Sequence, residues 1–441
     1  MDYHSLYHTM ADGTVKQINP FTGVEVWTVS ERGNRAANGE PDGPPPEPLE
    51  RMSPEGYCSF CESRLLETAP EKSRVVRRGD CYVTLHHVMP EQQSQEAAEF
   101  RRVANLFEIV SINYWRQNYN YKLSPQNIQW KDQYLSSPLG IRHVMGIIDQ
   151  KLKLSGKSDE EIAAVSPDVK LTLADAFFGG GHEIIIARPH YRSDAQTTAD
   201  LFSTGDMTDE QHAEYYHFII DALVDIISSN RYVRYISVFK NWLRPAGASL
   251  NHLHTQIVAI DEWGSSIDRQ VKMLVADKNV FNTYGPNFAG LHNLVFAEND
   301  FALAFVGIGH RYPTVEIFSK SINARPYEHQ PQEIRGVSDL VRACHAAIGG
   351  SVSVNEEWYY TPIDCIFKMP WHINLKLRMN VPAGFEGGTS IFINPLSPVD
   401  LRDRLVPRLY QLRGEGRINP SIRIAEECIV VPNPLQYYRT C

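Results

Sequence analysis

The sequence predicts an α+β fold assembled from two similar units, and three observations lead there. Short apolar runs with strand character alternate with amphipathic helical stretches. Residues 180–260 read strand, helix, strand, loop, strand, an order that suits an antiparallel sheet packed by one long helix. A similar rhythm returns after residue 265, so the chain reads as a pseudo-repeat with little residue identity between its halves.

Near the start, "EVWTVS" carries the β-branched and aromatic residues of a strand. The Pro-, Gly- and acid-rich stretch 36–56 reads as an exposed loop. Residues 96–118 begin with helical periodicity and continue into "FEIVSIN", which reads as extended. From about 119 to 175 the chain is polar and Pro-punctuated, with one helix expected near "EEIAAV", and this segment reads as an insertion. The order then clears. "GGHEIIIARPH" is a strand, "TDEQHAEYYHFIIDALVDIISSN" a helix with Phe218, Ile219, Leu223 and Ile226 on its apolar face, and "RYISVFKN" a strand. "WLRPAGASLN" is a small-residue loop leading into the strand "HLHTQIVAI". In the second half "LVFAENDFALAFV" and "TVEIFSK" are strands, "QEIRGVSDLVRACHAAIG" a helix and "WHINLKLRM" a strand. The expected division is 1–265, holding the loop and the insertion, and 266–441.

Composition narrows the functional class. Hydrophobic residues are 43% of the 441-residue chain and charged residues 22%, enough for a sizeable core. A net charge of -9 argues against a nucleic-acid-binding protein and leaves small anionic ligands open, because these need only a local cluster of donors. No apolar run is long enough to span a membrane, and the polar start "MDYHSLYHTMADG" lacks signal-peptide character. The seven cysteines are dispersed except for Cys58 and Cys61, which suggests reduced thiols and a cytoplasmic location.

Two motifs carry chemistry. In an extended segment His252, His254 and Gln256 share a face, so one imidazole can bind a metal, the next can act as nucleophile and the amide can donate to a phosphate oxygen. Two surface histidines on an edge strand explain the pair equally well when the motif stands alone. Asn241 and the loop Gly247, Ala248 and Ser249 precede it, a cradle of backbone amides and polar side chains for the charge that develops at an attacked phosphorus. A plain tight turn accounts for the glycine alone. Cys58 and Cys61, in "YCSFCE", have the spacing of two thiolates sharing a zinc ion, a spacing shared by redox dithiols and by chance buried cysteines.

The run "YISVFKNWLRPAGASLNHLHTQIVA" resembles the active-site segment of the galactose-1-phosphate uridylyltransferase family, within the histidine-triad superfamily. The resemblance implies two tandem histidine-triad-like domains, each an antiparallel sheet packed by helices. By the same resemblance His254 is the nucleophile, Gln256 assists at the phosphate, and Asn241, Gly247, Ala248 and Ser249 surround that phosphate. It implies one structural zinc per chain, held by Cys58, Cys61, His190 and His252, with His182 as the fallback because His190 directly follows Pro189. Leu253 stands where the family pattern has proline, a departure that bears on substrate choice. "NPFTGVEVWTVSERGNR" is similar to the family's opening segment and makes Arg32 and Arg35 phosphate-binding candidates, while "ANLFE" makes Asn105 a nucleoside-contacting one. "GFEGGTSIFINPLSP" looks like the adenylyl-transferring relatives. Asn374 and Lys376 occupy the places of a second metal's ligands, so no second metal is expected, and His372 is expected to alternate onto the wrong face for that role.

The function so implied is transfer of UMP or AMP between a nucleotide sugar and a sugar phosphate, in carbohydrate and specifically galactose metabolism, through a covalent nucleotidyl-histidine. A phosphorylase using inorganic phosphate as acceptor is the alternative. A catalytically silent, zinc-stabilised nucleotide-binding protein is the third reading. The resemblance also implies a homodimer, and the charge and hydropathy already described predict no nucleic-acid or membrane partner.

Overall fold

A computed structural model describes residues 3–29, 46–49 and 56–439. Sixteen strands among these residues form two sheets. In chain order they are β1 (Tyr7–Thr9), β2 (Val15–Ile18), β3 (Glu25–Thr28), β4 (Glu71–Arg78), β5 (Cys81–His86), β6 (Ala98–Ala104), β7 (His182–Ala187) and β8 (Tyr235–Trp242). Then follow β9 (His254–Ile260), β10 (Val295–Glu298), β11 (Ala302–Gly307), β12 (Thr314–Ser319), β13 (Val354–Tyr359), β14 (His372–Leu377), β15 (Ile391–Ile393) and β16 (Arg423–Ile424).

Twelve strands make one sheet in the order β16-β10-β11-β12-β14-β13-β8-β9-β7-β6-β4-β5. The fold is α+β, and its sheet is two six-stranded halves joined edge to edge by the antiparallel pair β13–β8. Each half repeats one plan. Helix Asp209–Ser229 precedes β8, helix Pro331–Ile348 precedes β13, and the two helices pack against each other on one side of the sheet. Register extends the repeat to single residues. Gln256 pairs with Ile184 and Phe239, while Asn374 pairs with Glu316 and Glu357, so Gln256 and Asn374 hold equivalent places. Phe239 and Glu357 are equivalent in turn and pair with each other at the junction. His254 and His372, two residues before Gln256 and Asn374, are therefore counterparts.

Beneath the junction lies a buried charge. Glu356 accepts hydrogen bonds from Tyr216 Oη (2.8 Å), Trp358 Nε1 (2.9 Å) and His345 Nε2 (2.8 Å), and pairs with Lys240 Nζ at 2.5 Å. Lys240 directly precedes Asn241, so this network fixes the end of β8 that carries it. The small sheet, β1-β2-β3-β15, lies over the second half, with Asn19 Nδ2 donating to Ile308 O at 2.9 Å and Gly309 N to Gln17 Oε1 at 3.1 Å.

Two expectations require correction. Residues 98–104 form β6 rather than a helix, and the segment through "FEIVSIN" ends in helix Ile112–Tyr119 rather than continuing extended. In β6 the alternation sends Arg101 and Arg102 to opposite sides, where Glu71 and Glu183 receive them. Residues 119–175 hold helices Pro125–Ser136, Pro138–Leu154, Asp159–Ala164 and Pro167–Leu173 in place of the one expected. The prolines that read as breakers occupy first helical turns, each behind a serine whose side chain caps the helix: Ser124, Ser137 and Ser166.

Candidate functional site

The two cysteines sit on a turn closed by Cys61 N donating to Cys58 O at 3.0 Å. Arg101 on β6 reaches across to that turn and donates Nη2–H to Phe60 O at 2.7 Å. Against it lie His190, just past β7, and His252, just before β9. Cys58 Sγ is 3.8 Å from Cys61 Sγ, 3.5 Å from His190 Nδ1 and 3.4 Å from His252 Nδ1. Cys61 Sγ is 3.3 Å and 3.9 Å from the same two nitrogens. A tetrahedral ion with bonds of about 2.3 Å to sulfur and 2.0 Å to nitrogen spans edges of roughly 3.8 Å and 3.5 Å, so the four atoms fit a metal ion. His252 Nε2 donates to Ala187 O at 2.6 Å, which leaves Nδ1 unprotonated and facing the thiols. Packed this closely, the thiols cannot both ionise without a cation between them. The Cys61 contact pushes Cys58 up, and the Cys58 contact holds Cys61 down. His182, the fallback ligand, is not part of the cluster.

His254 opens β9. His252 lies in the bend before the strand, not on it as expected, and this turns its ring to the cysteines. The carbonyl of His252 accepts a hydrogen bond from His254 Nδ1 at 2.7 Å, so the His254 proton sits on Nδ1 and Nε2 keeps its lone pair. Burial lowers the His254 pKa to about 4, with the His252 carbonyl opposing that shift, so the ring is neutral at pH 7. The Phe60 ring meets it edge-on at 5.3 Å. On the same face of β9, Gln256 Oε1 is 3.1 Å from His182 Nε2 and 3.4 Å from Asn105 Nδ2. His182 Nδ1 accepts the Ile109 N–H at 3.0 Å, so Nε2 carries the proton and donates to Gln256. The Gln256 carbonyl is thereby engaged, and its NH2 group is the part left to act as a donor.

Asn241, the penultimate residue of β8, lies on the neighbouring strand. Its Oδ1 accepts from Asn355 Nδ2 at 2.8 Å, and that same amide donates to Ala246 O at 2.7 Å, binding the small-residue loop to the strand. Gly247 has φ +91°, left-handed backbone where glycine carries no steric penalty, and a Cβ there would lie 3.7 Å from Asn241 Nδ2. Ser249 and Gly247 are exposed, while Ala248 is buried beneath them. The arrangement brings together a neutral imidazole with a free Nε2 lone pair, an amide donor beside it and a glycine-containing loop at the end of the adjacent strand.

Of the expected residues, Cys58, Cys61, His190 and His252 form one cluster, and His254, Gln256, Asn105, Asn241 and the 247–249 loop belong to adjoining elements of the same half. Arg32 and Arg35 lie outside the described residues. His372 shares the face of Asn374 and Lys376, contrary to expectation, because residues two and four apart on a strand point alike. It is buried and stacked between Phe318 (4.4 Å) and Tyr359 (5.1 Å). Sequence reasoning missed His182 as the orienter of Gln256 and Asn355 as the bracket on Asn241. Asn355 is 114 positions from its partner, and no local pattern marks it.

A sequence profile described as "Domain of unknown function (DUF4921)" matches residues 10–437. No curated protein matches in sequence. The fold is similar to that of an ADP-glucose phosphorylase from Arabidopsis thaliana, solved with bound ADP-glucose, at TM-score 0.56 and 17% identity over 89% of this chain and 97% of that one. It is also similar to a GalT-like protein from Arabidopsis thaliana, at TM-score 0.52 and 17% identity over 80% and 92% of the two chains.

Proposed function

The chain belongs to the DUF4921 family, and for it we propose nucleotidyl transfer from a nucleotide sugar to a sugar phosphate through a covalent intermediate on His254. The observation that carries this reading is the His254 Nδ1 to His252 O hydrogen bond at 2.7 Å, which leaves Nε2 unprotonated. In the first displacement the Nε2 lone pair attacks the phosphorus that bears the nucleoside, and the bond from that phosphorus to the bridging oxygen breaks. The sugar phosphate departs with the oxygen. Attack converts the imidazole to a cationic N-phosphoryl ring whose positive charge faces the His252 carbonyl. Gln256 NH2, Asn241 and the Gly247–Ser249 backbone meet the charge on the nonbridging oxygens. In the second displacement an acceptor oxygen attacks the same phosphorus, the P–N bond breaks, and neutral His254 returns.

Cys58, Cys61, His190 and His252 would hold one zinc ion, whose chemistry is structural because four protein ligands leave no open position. That ion would hold His252, and through its carbonyl the tautomer of His254. Arg32, Arg35 and Asn105 are proposed to complete the nucleotide contacts, and the unit ending near residue 265 is proposed to carry the chemistry.

A phosphorylase reading keeps every residue role and changes the acceptor to inorganic phosphate. The likeness to an ADP-glucose phosphorylase fold supports it. ADP-glucose and UDP-glucose labelled at the phosphorus next to the nucleoside test the proposal together. The expected result is acid-labile label on the protein from one donor, discharged by glucose 1-phosphate or by phosphate according to the acceptor. A folded protein that takes no label from either donor overturns the covalent mechanism.

A further inference from the structure

The second half carries a cavity of about 690 Å³ on the same open side of the sheet as His254. Its lining includes Arg269, Arg311, Lys376 and Arg378 against a single carboxylate, Glu357. Four cations around one cavity are a marked local excess in a chain of net charge -9. Lys376 neutralises Glu357 at 2.6 Å. Among the described residues, Arg269, Arg311 and Arg378 have no carboxylate within ion-pair distance, and Arg378 Nε is buried without an acceptor. Two of these guanidinium groups are nonetheless held in place. Arg378 lies over Tyr312 at 4.3 Å and donates to Asn355 Oδ1 at 2.9 Å, and Arg311 lies over Phe392 at 4.8 Å. Helix Ser265–Ala276 begins at the cavity with Ser265 and Ser266, and Gly264 supplies no side-chain cap to its first amides.

The cavity also occupies a particular place in the repeat. Glu357, Tyr359 and Lys376 are on β13 and β14, the strands equivalent to the β8 and β9 that carry Asn241 and His254. The second half retains His372 at the position of His254, with the same bond from Nδ1 to the carbonyl two residues back (2.9 Å to Pro370 O). It has Pro370 at the place of His252 and so has no counterpart of that metal ligand. We propose that this cavity is a second ligand site, binding a phosphorylated sugar noncovalently. The arginines take the phosphate. Glu357 and the remaining lone pair of Asn355 Oδ1 accept from hydroxyls, since both Asn355 N–H groups are spent on Asn241 and Ala246, and a carboxylate tolerates hydroxyls where it would repel a second phosphate. A volume near 690 Å³ exceeds the need of a phosphate alone and lies in the range of small-molecule sites. Asn355 also links the two sites, since it lines the cavity and brackets Asn241, and its strand β13 is two strands from the β9 of His254, a separation of about 10 Å.

Titration calorimetry of glucose 1-phosphate, AMP and glucose into the full chain tests the site. Glucose 1-phosphate should bind, and neutral glucose should bind at least tenfold more weakly. The Arg269→Gln/Arg311→Gln protein should lose tenfold or more in affinity for glucose 1-phosphate. Thr22→Glu, an exposed rim position of the same cavity, places a new carboxylate there without touching the arginines and should also weaken binding. The His254→Asn protein should keep glucose 1-phosphate binding while taking no covalent label, which separates this inference from the covalent one. Unchanged affinity in both cavity variants overturns the site, and AMP bound more tightly than glucose 1-phosphate in a variant-sensitive manner overturns its assignment to a sugar.

Discussion

Glu356→Gln keeps the shape of the side chain and removes one charge from the junction of the two halves. Glu356 and Lys240 are 2% and 1% exposed and 2.5 Å apart, so the variant leaves an ammonium group buried with no counter-charge. Breaking a buried pair by removing one partner costs about 3–5 kcal/mol. With an unfolding entropy of roughly 2 cal/mol/K per residue, a loss near 4 kcal/mol lowers the melting midpoint of a chain this long by about 4 °C. Adding Lys240→Met removes the orphaned charge, and the double variant should recover most of the loss, because two apolar or neutral groups carry no desolvation penalty. Acid supplies a second readout. Lys240 holds the Glu356 carboxyl well below the usual carboxylate range against the opposing effect of burial. A depressed folded-state pKa contributes stability above the unfolded value of about 4.3 and loses it as pH falls toward the folded one. The gap between wild type and Glu356→Gln should therefore narrow below about pH 4.3. Scanning calorimetry at pH 7 and pH 4 measures both effects. A single variant within about 1 kcal/mol of wild type, or a double variant no better than the single, would refute the reasoning.

His254→Ala should abolish covalent labelling while leaving metal content near one zinc per chain, measured by elemental analysis. Cys58→Ser should lower both metal content and melting temperature, and a metal-free protein with full transfer activity would overturn the ligand assignment. Gly247→Val places a β-branched residue at φ +91° in the loop proposed to meet the phosphate. It should cost on the order of 1–3 kcal/mol of local strain and reduce labelling rate more than thermal stability. His372→Phe preserves stacking but cannot titrate. Burial lowers the His372 pKa to about 4, so the unfolded chain takes up its proton first as pH falls. Wild type should lose stability between about pH 6.5 and pH 4 by one proton more than this variant, as denaturant titrations across that window can show.

The sequence by itself determined β7 to β12, β14 and helices Asp209–Ser229 and Pro331–Ile348, because periods of 2 and 3.6 are local signals that burial on one face enforces, but not the junction strand β13 or helices Ser265–Ala276 and Pro398–Gly414. It also determined the chemical types at the site, since Cys58 and Cys61 lie within one turn and His252 and His254 are two residues apart, although His252 sits in the bend before β9. The Ser-Pro helix starts in the 119–175 segment were written in the sequence too, but proline reads as a breaker until the preceding serine is recognised as a cap. The rest was decided in three dimensions. Which of His182 and His190 joins the cysteines depends on where β7 ends relative to a turn about 130 residues earlier. His182 as the orienter of Gln256, Asn355 as the bracket on Asn241, and Glu356 as the buried partner of Lys240 all arise from pairings between strands far apart in the chain. Such contacts leave no periodic trace. Arg269, Arg311 and Arg378, far apart in the chain, meet around one cavity only when β12, β14 and the helix after β9 are packed together.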